Sequence, residues 1–236
     1  MTTRVSLIFT ILFSLIFLTS TSAQIGFKGG IGASDIIFKK EGQTPYLGYE
    51  VDDFIHNYPK LSYQFGAFAA FGLGEKFEFQ PELLFVNAGL DYSTTYNYGK
   101  IIYRLNINYL QVPLLFKFKT KPEKTRHFAL LAGPYTSFKL TAKKTMEVNE
   151  YEEKVDMNNV KNIDFGIVAG LGYEFDLPQG IIVIDFRITY GLINMMQPKE
   201  GYIPEYNGPE KIRANNMNIV LTVGYRFLNL WPEKTG

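Results

Sequence analysis

Charged side chains recur inside otherwise apolar segments of the chain, and these are the residues whose types could do chemistry. Five bases and five acids show this placement: Lys28, Lys117, Lys139, Arg187 and Arg226, and Glu78, Glu82, Asp164, Glu174 and Asp185. Glu78 and Glu82 lie on one face of a strand, so their carboxylates could act as a general acid and base. The balance of the two signs favours structural pairing instead. We therefore predict that the ten residues form a charge network, not a catalytic pair.

The two histidines are the next candidates for chemistry. His56 is close in sequence to Asp52 and Asp53, but no further ligand follows at a spacing typical of metal centres. His127 opens an apolar alternating segment and is predicted to be structural. The chain has no cysteine and no Gly-x-Ser-x-Gly nucleophile motif. We predict no catalytic residue, no metal ion and no cofactor, and we expect the protein not to be an enzyme.

The charged residues belong to segments in which side chains alternate in character, most clearly over residues 61–85. Phe77 and Phe79 alternate there with Glu78 and Gln80, after a similar aromatic segment and a short Gly-containing connection. A period of two is the signature of a β-strand whose faces meet different surroundings. A carboxylate face is unsuited to a dry core, and an aromatic face is unsuited to water. A wall between lipid and a polar interior satisfies both faces.

Eight segments share this alternation and are predicted to be strands. They are Ile25–Ala33, Leu61–Gly72, Phe77 to about Leu90, about Leu105 to Lys119, His127–Thr141, Ile163–Asp176, Ile181–Leu192 and Met217–Leu228. The connections between them are alternately long and short, which places all four long connections at one end of an up-and-down arrangement. Bacterial outer-membrane barrels have short periplasmic turns and long extracellular loops. We therefore predict an all-β protein, an eight-stranded antiparallel up-and-down transmembrane β-barrel.

The N-terminal residues have the organisation of a secretory signal peptide. Arg4 precedes an apolar run, and small residues ending at Ala23 precede Gln24. The run is too short for a comfortable membrane-spanning helix. The predicted domains are a cleaved signal peptide at 1–23, the barrel at 24–228 and a short periplasmic tail at 229–236. The predicted localisation is the outer membrane, reached through a Sec-type signal peptide.

The interior and the rim of the barrel follow from the same alternation. Eight strands leave room for side chains but hardly for a channel, so we expect an interior plugged by paired charges. Aromatic residues cluster at the short-turn ends and are predicted to form a girdle at the inner membrane interface. They are Phe71, Phe77, Phe79, Phe116, Phe118, Phe128, Tyr173, Phe175, Tyr225 and Phe227.

The fourth predicted strand contains two irregularities. Its register places Asn106 and Asn108 on the apolar face, so either these residues lie above the membrane or a bulge resets the register near Tyr109. Pro113 lies inside the strand, although proline is usually confined to edges and bulges. The alternation on both sides of Pro113 predicts that the strand continues through it.

Four stretches resemble the PorT-type outer-membrane β-barrel domain. They are FEFQPELLF (77–85), NYLQVPLLFKF (108–118), FALLAGPYTSF (128–138) and FGIVAGLGYEFD (165–176). The resemblance covers nearly all of the mature chain and implies an eight-stranded barrel in a Gram-negative outer membrane. The founding member of that family takes part in type IX protein secretion and gliding. The matching stretches are scaffold features, so they do not carry this role to the present chain.

These observations predict a non-enzymatic membrane scaffold, or a binding module that acts through four long extracellular loops. One alternative is a component of a type IX secretion or gliding machinery. A second is a soluble lipocalin-like carrier of an apolar ligand, because lipocalins show the same alternation with the apolar residues inside and the polar residues outside. A third is an outer-membrane enzyme. The predicted partners are outer-membrane lipid and envelope or secretion proteins. The formal net charge of +1 is too small to create a strong positive field that would attract nucleic acid, so no nucleic-acid partner is predicted. The barrel is expected to be monomeric.

Overall fold

The computed structural model describes residues 23–40, 55–96, 99–148, 151–196 and 212–228. The chain forms ten strands: β1 (Ala23–Lys40), β2 (Ile55–Tyr58), β3 (Lys60–Gly72), β4 (Phe77–Tyr96), β5 (Gly99–Lys119), β6 (Arg126–Val148), β7 (Tyr151–Asp156), β8 (Ile163–Leu177), β9 (Gly180–Gly191) and β10 (Ile212–Phe227). The predicted tail and most of the predicted signal peptide lie outside the described residues, as does the side chain of His56. None of the described residues forms a helix long and apolar enough to cross a membrane.

Eight of the strands close into a ring of antiparallel pairs. The order around the ring is β1, β3, β4, β5, β6, β8, β9 and β10, and β10 pairs with β1 to complete it. The short strands β2 and β7 lie outside this ring, where β2 pairs with β4 and β7 pairs with β6. The predicted eight-stranded antiparallel barrel is confirmed.

The alternation of side chains predicts which face of the wall each residue occupies. On β8, Phe165, Ile167, Ala169 and Leu171 face outward and are exposed, whereas Val168 is buried in the interior. Large apolar side chains are exposed all around the ring, with Phe27 at 60% and Leu171 at 56% exposure. The lipocalin-like alternative is therefore wrong, because the apolar face points outward and the charged face is enclosed.

The aromatic cluster at the short-turn end is present on this outer wall. Ring centroids lie 5.3 Å apart for Phe77 and Phe118, and 5.1 Å apart for Phe128 and Tyr173. Phe79 packs between its neighbours on the adjacent strands and is only 8% exposed for that reason. Aromatic side chains at this level are typical of the membrane interface of a barrel.

The strands at the long-connection end extend further than the sequence predicts. The predicted polar connection over 91–104 consists largely of the outer ends of β4 and β5, which pair up to Tyr96 and Gly99. The connection over 142–162 similarly contains the end of β6 and all of β7. These segments lie beyond the apolar wall, and β7 is exposed along its whole length, so the alternation that marks a wall strand is absent there.

A bulge is present beside Asn108, but it lies in β6 and not in β5. The register between β5 and β6 shifts so that Asn108 faces Thr141 while Tyr109 faces Lys139, which leaves Leu140 as the extra residue. β5 itself keeps one alternation throughout, with Tyr109, Gln111 and Lys117 buried inside. Asn106 and Asn108 therefore stay on the outward face, and β5 continues through Pro113 as predicted.

Candidate functional site in the barrel interior and at its outer end

The interior at the short-turn end is filled by a charge network. Lys28 Nζ lies 2.8 Å from Glu82 Oε1 and 3.0 Å from Asp185 Oδ2. Arg187 donates two hydrogen bonds to Glu82, at 2.6 and 2.9 Å, and a third to Asp185 at 2.6 Å. A bidentate guanidinium–carboxylate pair is among the strongest polar contacts that a protein makes.

A second part of the network lies closer to the short turns. Arg226 donates to Glu78 at 2.6 Å and to Glu174 at 2.7 Å. Lys117 donates to Glu174 at 2.7 Å and lies 4.0 Å from Asp185, so it connects the two parts. These side chains are almost completely buried, with Arg226 and Glu174 at 0% exposure. Charges in such a place are stable only when they are paired and hydrogen-bonded.

Three members of the network were not among the ten predicted residues. Lys119 Nζ lies 2.7 Å from Glu78, His127 Nε2 lies 3.3 Å from Glu174, and Gln80 donates to Glu82. A signal for all three was present in the sequence. Each has the same strand parity as a neighbour that was predicted to face inward, for example Lys119 and Lys117 on β5.

Two of the ten predicted residues lie away from these ion pairs. Lys139, which directly precedes the bulge at Leu140, donates to the backbone carbonyl of Val160. Asp164 is buried at 3% exposure but contacts only neutral groups, with Tyr135 Oη at 3.0 Å and Asn216 Nδ2 at 2.9 Å. The other eight of the ten predicted residues all take part in the ion pairs of the interior.

The outer half of the interior is lined mainly by apolar side chains, which corrects the expectation of an interior filled by paired charges. Its buried core, here called the apolar plug, comprises Ile36, Leu84, Val86, Ala88, Leu90, Leu105, Ile107, Tyr109, Ala142, Val160, Met195 and Ala214. The even-numbered residues of β4 from Glu78 to Leu90 are all buried in the interior. They change from Glu78 and Glu82 to Leu84 and Val86 partway along the strand, so the lining changes from charged to apolar.

Segments that follow β7 and β9 cross the outer mouth and complete the apolar plug. Val160 forms a β-bridge with Met196, and the Lys161 amide donates to the Met195 carbonyl at 2.8 Å. The Met195 amide in turn donates to the Ala214 carbonyl at 2.8 Å. In the part of the chain that the structure describes, the interior is thus filled at both ends.

A hydrogen-bonded polar row ends the apolar outer wall on one side of the barrel. Asn87 donates to Asn108 at 2.7 Å, and Asn108 donates to Thr141 at 2.8 Å, across β4, β5 and β6. The next outward row toward the short turns is apolar and contains Leu110 and Phe138. This change of chemistry marks the level at which the wall leaves an apolar medium.

An outer sheet continues beyond that polar row. It consists of β2, β7 and the parts of β4, β5 and β6 that comprise residues 88–96, 99–107 and 142–148. Tyr92 and Tyr103 stack within it at 4.6 Å, with Lys144 Nζ 4.4 Å from the Tyr103 ring centroid. All six residues of β7 are exposed. Among the described residues, no group of three or more His, Asp or Glu side chains converges as metal ligands.

A family model described as an outer membrane protein beta-barrel domain matches residues 19–197. The chain belongs to this family. As an outer-membrane β-barrel it lies in the outer membrane and contacts lipid through its apolar wall, which confirms the predicted localisation. Barrels of this kind direct their short turns to the periplasm and their long connections to the cell exterior.

Several solved outer-membrane proteins are similar to this barrel at low identity. The attachment invasion locus protein Ail of Yersinia pestis is 14% identical, with a TM-score of 0.40, and the match covers 88% of this chain and 100% of Ail. OprG of Pseudomonas aeruginosa is 14% identical, with a TM-score of 0.45, and the match covers 87% and 94% of the two chains. Neisserial surface protein A is 8% identical, with a TM-score of 0.42 and coverage of 87% and 99%. No curated protein sequence matches the chain.

Proposed function

We propose that this outer-membrane barrel is a non-enzymatic anchor that presents its outer sheet as a binding surface. The single observation that carries the proposal is the contrast between the two ends of the molecule. Among the described residues, paired charges and the apolar plug fill the two ends of the interior, which favours an anchor over a channel. The outer sheet, in contrast, is built of regular strands that extend past the apolar wall.

The exposed strand β7 is the part of the outer sheet best placed to meet a partner. It pairs with β6 along one edge, and within the described residues no strand pairs with its other edge. Tyr151 is 69% exposed and Val155 is 48% exposed. Tyrosine suits interfaces that are partly wet, and a free strand edge offers backbone groups to a further strand. We infer that the partner is an envelope or extracellular protein.

The resemblance to PorT-type barrels supports a narrower candidate, a part in a secretion or gliding machinery. The matching stretches build the wall, however, and several of their polar residues point inward. Gln80 and Gln111 are buried, at 0% and 5% exposure. Residues in that position maintain the barrel and cannot touch a partner, so the narrower role depends on which protein is captured.

Capture from native membranes tests the proposal. Tagged wild-type barrel is purified in mild detergent beside a variant with Tyr151→Ser and Val155→Ser, and the co-purifying proteins are compared. A matched control carries Lys121→Ser, at an exposed residue of a periplasmic turn. The proposal expects a protein that is retained by wild type and by the control but lost from the β7 variant. Identical protein sets for all three would contradict a binding role for β7.

A further inference from the structure

Asp164 is a buried carboxylate for which the described residues provide no cation. Its side chain lies on the inward face of β8, at the level where the interior changes from polar to apolar. None of the ion pairs formed by the described residues includes it. A carboxylate in a lipid-embedded barrel carries a large desolvation cost unless a charge or a set of donors compensates it.

The two oxygens of Asp164 differ in their contacts. Oδ2 accepts hydrogen bonds from Tyr135 Oη at 3.0 Å and from Asn216 Nδ2 at 2.9 Å. Oδ1 is buried and has no hydrogen-bond partner, and the same holds for Asn216 Oδ1. Both donors favour the ionised form of the carboxylate, whereas its burial opposes that form. The other oxygen is left without compensation, and such a buried atom requires an explanation, such as an ion or a water.

The backbone around Asp164 is arranged to bring these groups together. A Cβ atom on Gly166 would lie 2.5 Å from the Tyr135 ring, so only glycine there lets the ring reach Asp164. A Cβ atom on Gly191 would lie 3.2 Å from Asp164 Oδ1 and 3.3 Å from Tyr135 Oη. Asp164 Oδ1, which has no hydrogen-bond partner, therefore lies beside Gly191, which has no side chain. Asn216 Nδ2 also donates to Tyr109 Oη at 3.1 Å, which fixes the amide.

We propose that Asp164 Oδ1 binds a dehydrated monovalent cation of the sodium or potassium class inside the barrel. Two further oxygens are candidate ligands beside Oδ1. They are the Tyr135 hydroxyl, which lies 3.0 Å from Oδ2, and the amide oxygen of Asn216, whose Nδ2 lies 2.9 Å from Oδ2. A single formal negative charge matches a single positive charge. Calcium and magnesium carry two positive charges, and one carboxylate would leave one of them uncompensated in the interior. The cation enters as the barrel folds, because the apolar plug and the charge network close the site on both sides.

Crystallography with a heavy monovalent cation tests this site directly. The full-length mature barrel is refolded in thallium(I) salt in place of sodium, and its anomalous scattering is measured. The proposal expects an anomalous peak in contact with Asp164 Oδ1. It expects no such peak in Asp164→Asn, which keeps the shape and removes the charge, and a weakened peak in Gly191→Ala, which crowds the oxygen. Wild-type crystals that diffract well and show no peak at Asp164 would overturn the proposal, because a water or a proton would then occupy the site.

A measurement in solution also tests whether a monovalent cation binds at Asp164, without the need for crystals. Thermal unfolding is followed for barrels refolded in sodium salt and in the salt of a bulky organic cation at equal ionic strength. We expect wild type to unfold at a lower temperature in the organic salt, and Asp164→Asn to unfold at the same temperature in both. Asp156→Asn, at an exposed carboxylate of β7, is the control and should behave as wild type. Equal unfolding temperatures for wild type in the two salts would count against the cation.

Discussion

Arg187 and Glu82 form a two-fold hydrogen-bonded ion pair, at 2.6 and 2.9 Å, in the interior of a barrel whose exterior is apolar. The pair joins β9 to β4, which are not neighbours in the ring. Such a contact ties opposite parts of the wall together across the interior. Its burial also means that neither charge can be relieved by water if the other is removed.

Truncating Arg187 to Ala should therefore destabilise the barrel strongly. Glu82 and Asp185 would be left with Lys28 as their nearest base, and breaking a buried pair costs about 3–5 kcal/mol. The measurement is urea unfolding of the refolded barrel in lipid vesicles. Arg104→Ala is the matched control, because Arg104 pairs with Glu147 at 44% and 37% exposure, and such surface pairs contribute about 0–1 kcal/mol. Equal losses for the two variants would show that the interior pair is hydrated.

The two neighbouring residues Ala169 and Gly170 should respond differently to arginine. Ala169 faces outward, where a basic residue near the membrane midplane costs about 2–4 kcal/mol. Gly170 faces inward, and a Cβ atom there would lie 2.3 Å from the Phe186 carbonyl oxygen. The penalty at Gly170 is thus steric and independent of bilayer thickness. Unfolding of both variants in thin and thick lipids measures this, and a thickness dependence at Gly170 alone would mean that the two faces are reversed.

The filled interior should block ion flow. Planar-bilayer recordings of the refolded barrel are expected to show no large, stable conductance, because the charge network and the apolar plug occupy the lumen. A barrel with Val86→Ser and Leu105→Ser, which weakens the plug but leaves the ion pairs, should remain closed. A steady conductance of about a nanosiemens in wild type, typical of wider barrels with an aqueous lumen, would contradict the filled interior.

The mature protein should begin at Gln24. We propose cleavage after Ala23, since small residues there follow an apolar run of signal-peptide length. Intact-mass measurement of the protein from outer membranes determines the N-terminus. An Ala23→Arg variant should accumulate as the uncleaved precursor, because the peptidase requires a small residue at that position. A wild-type mass that includes residues 1–23 would refute the prediction.

The sequence predicts the wall of the barrel well and its outer end poorly, for one physical reason. Residues such as Ile167 and Glu174 lie between lipid and a closed interior, so their alternation reports the fold directly. The residues of β7 meet water on both faces and show no such pattern. The change from Glu82 to Leu84 on the inward face was visible in the sequence, but only the closed ring shows that these residues meet those of β5, β6 and β10 in one apolar plug.

The sequence predicts which charged residues face the interior, but it does not predict which base pairs with which acid. Parity along each strand places Lys28, Arg187 and Glu82 on the inward face. Which base meets which acid depends on the stagger between strands that are distant in sequence, as with Lys117 and Glu174. The separation of Asp164 from the other charges has the same origin, because its level in the barrel follows from the register of β8 against β6 and β9.

Photochemical labelling by lipid tests the orientation of the wall most directly. The unmodified barrel is reconstituted with phospholipid that carries a diazirine in its acyl chain, irradiated, and digested for mass spectrometry of the adducts. On β8 the barrel should carry adducts at Phe165, Ile167, Ala169 and Leu171, which are exposed on the outer wall, and none at Val168 or Asp164. Adducts at Val168 and Asp164, with none at the four outward residues, would contradict an apolar wall that faces lipid around a charged interior.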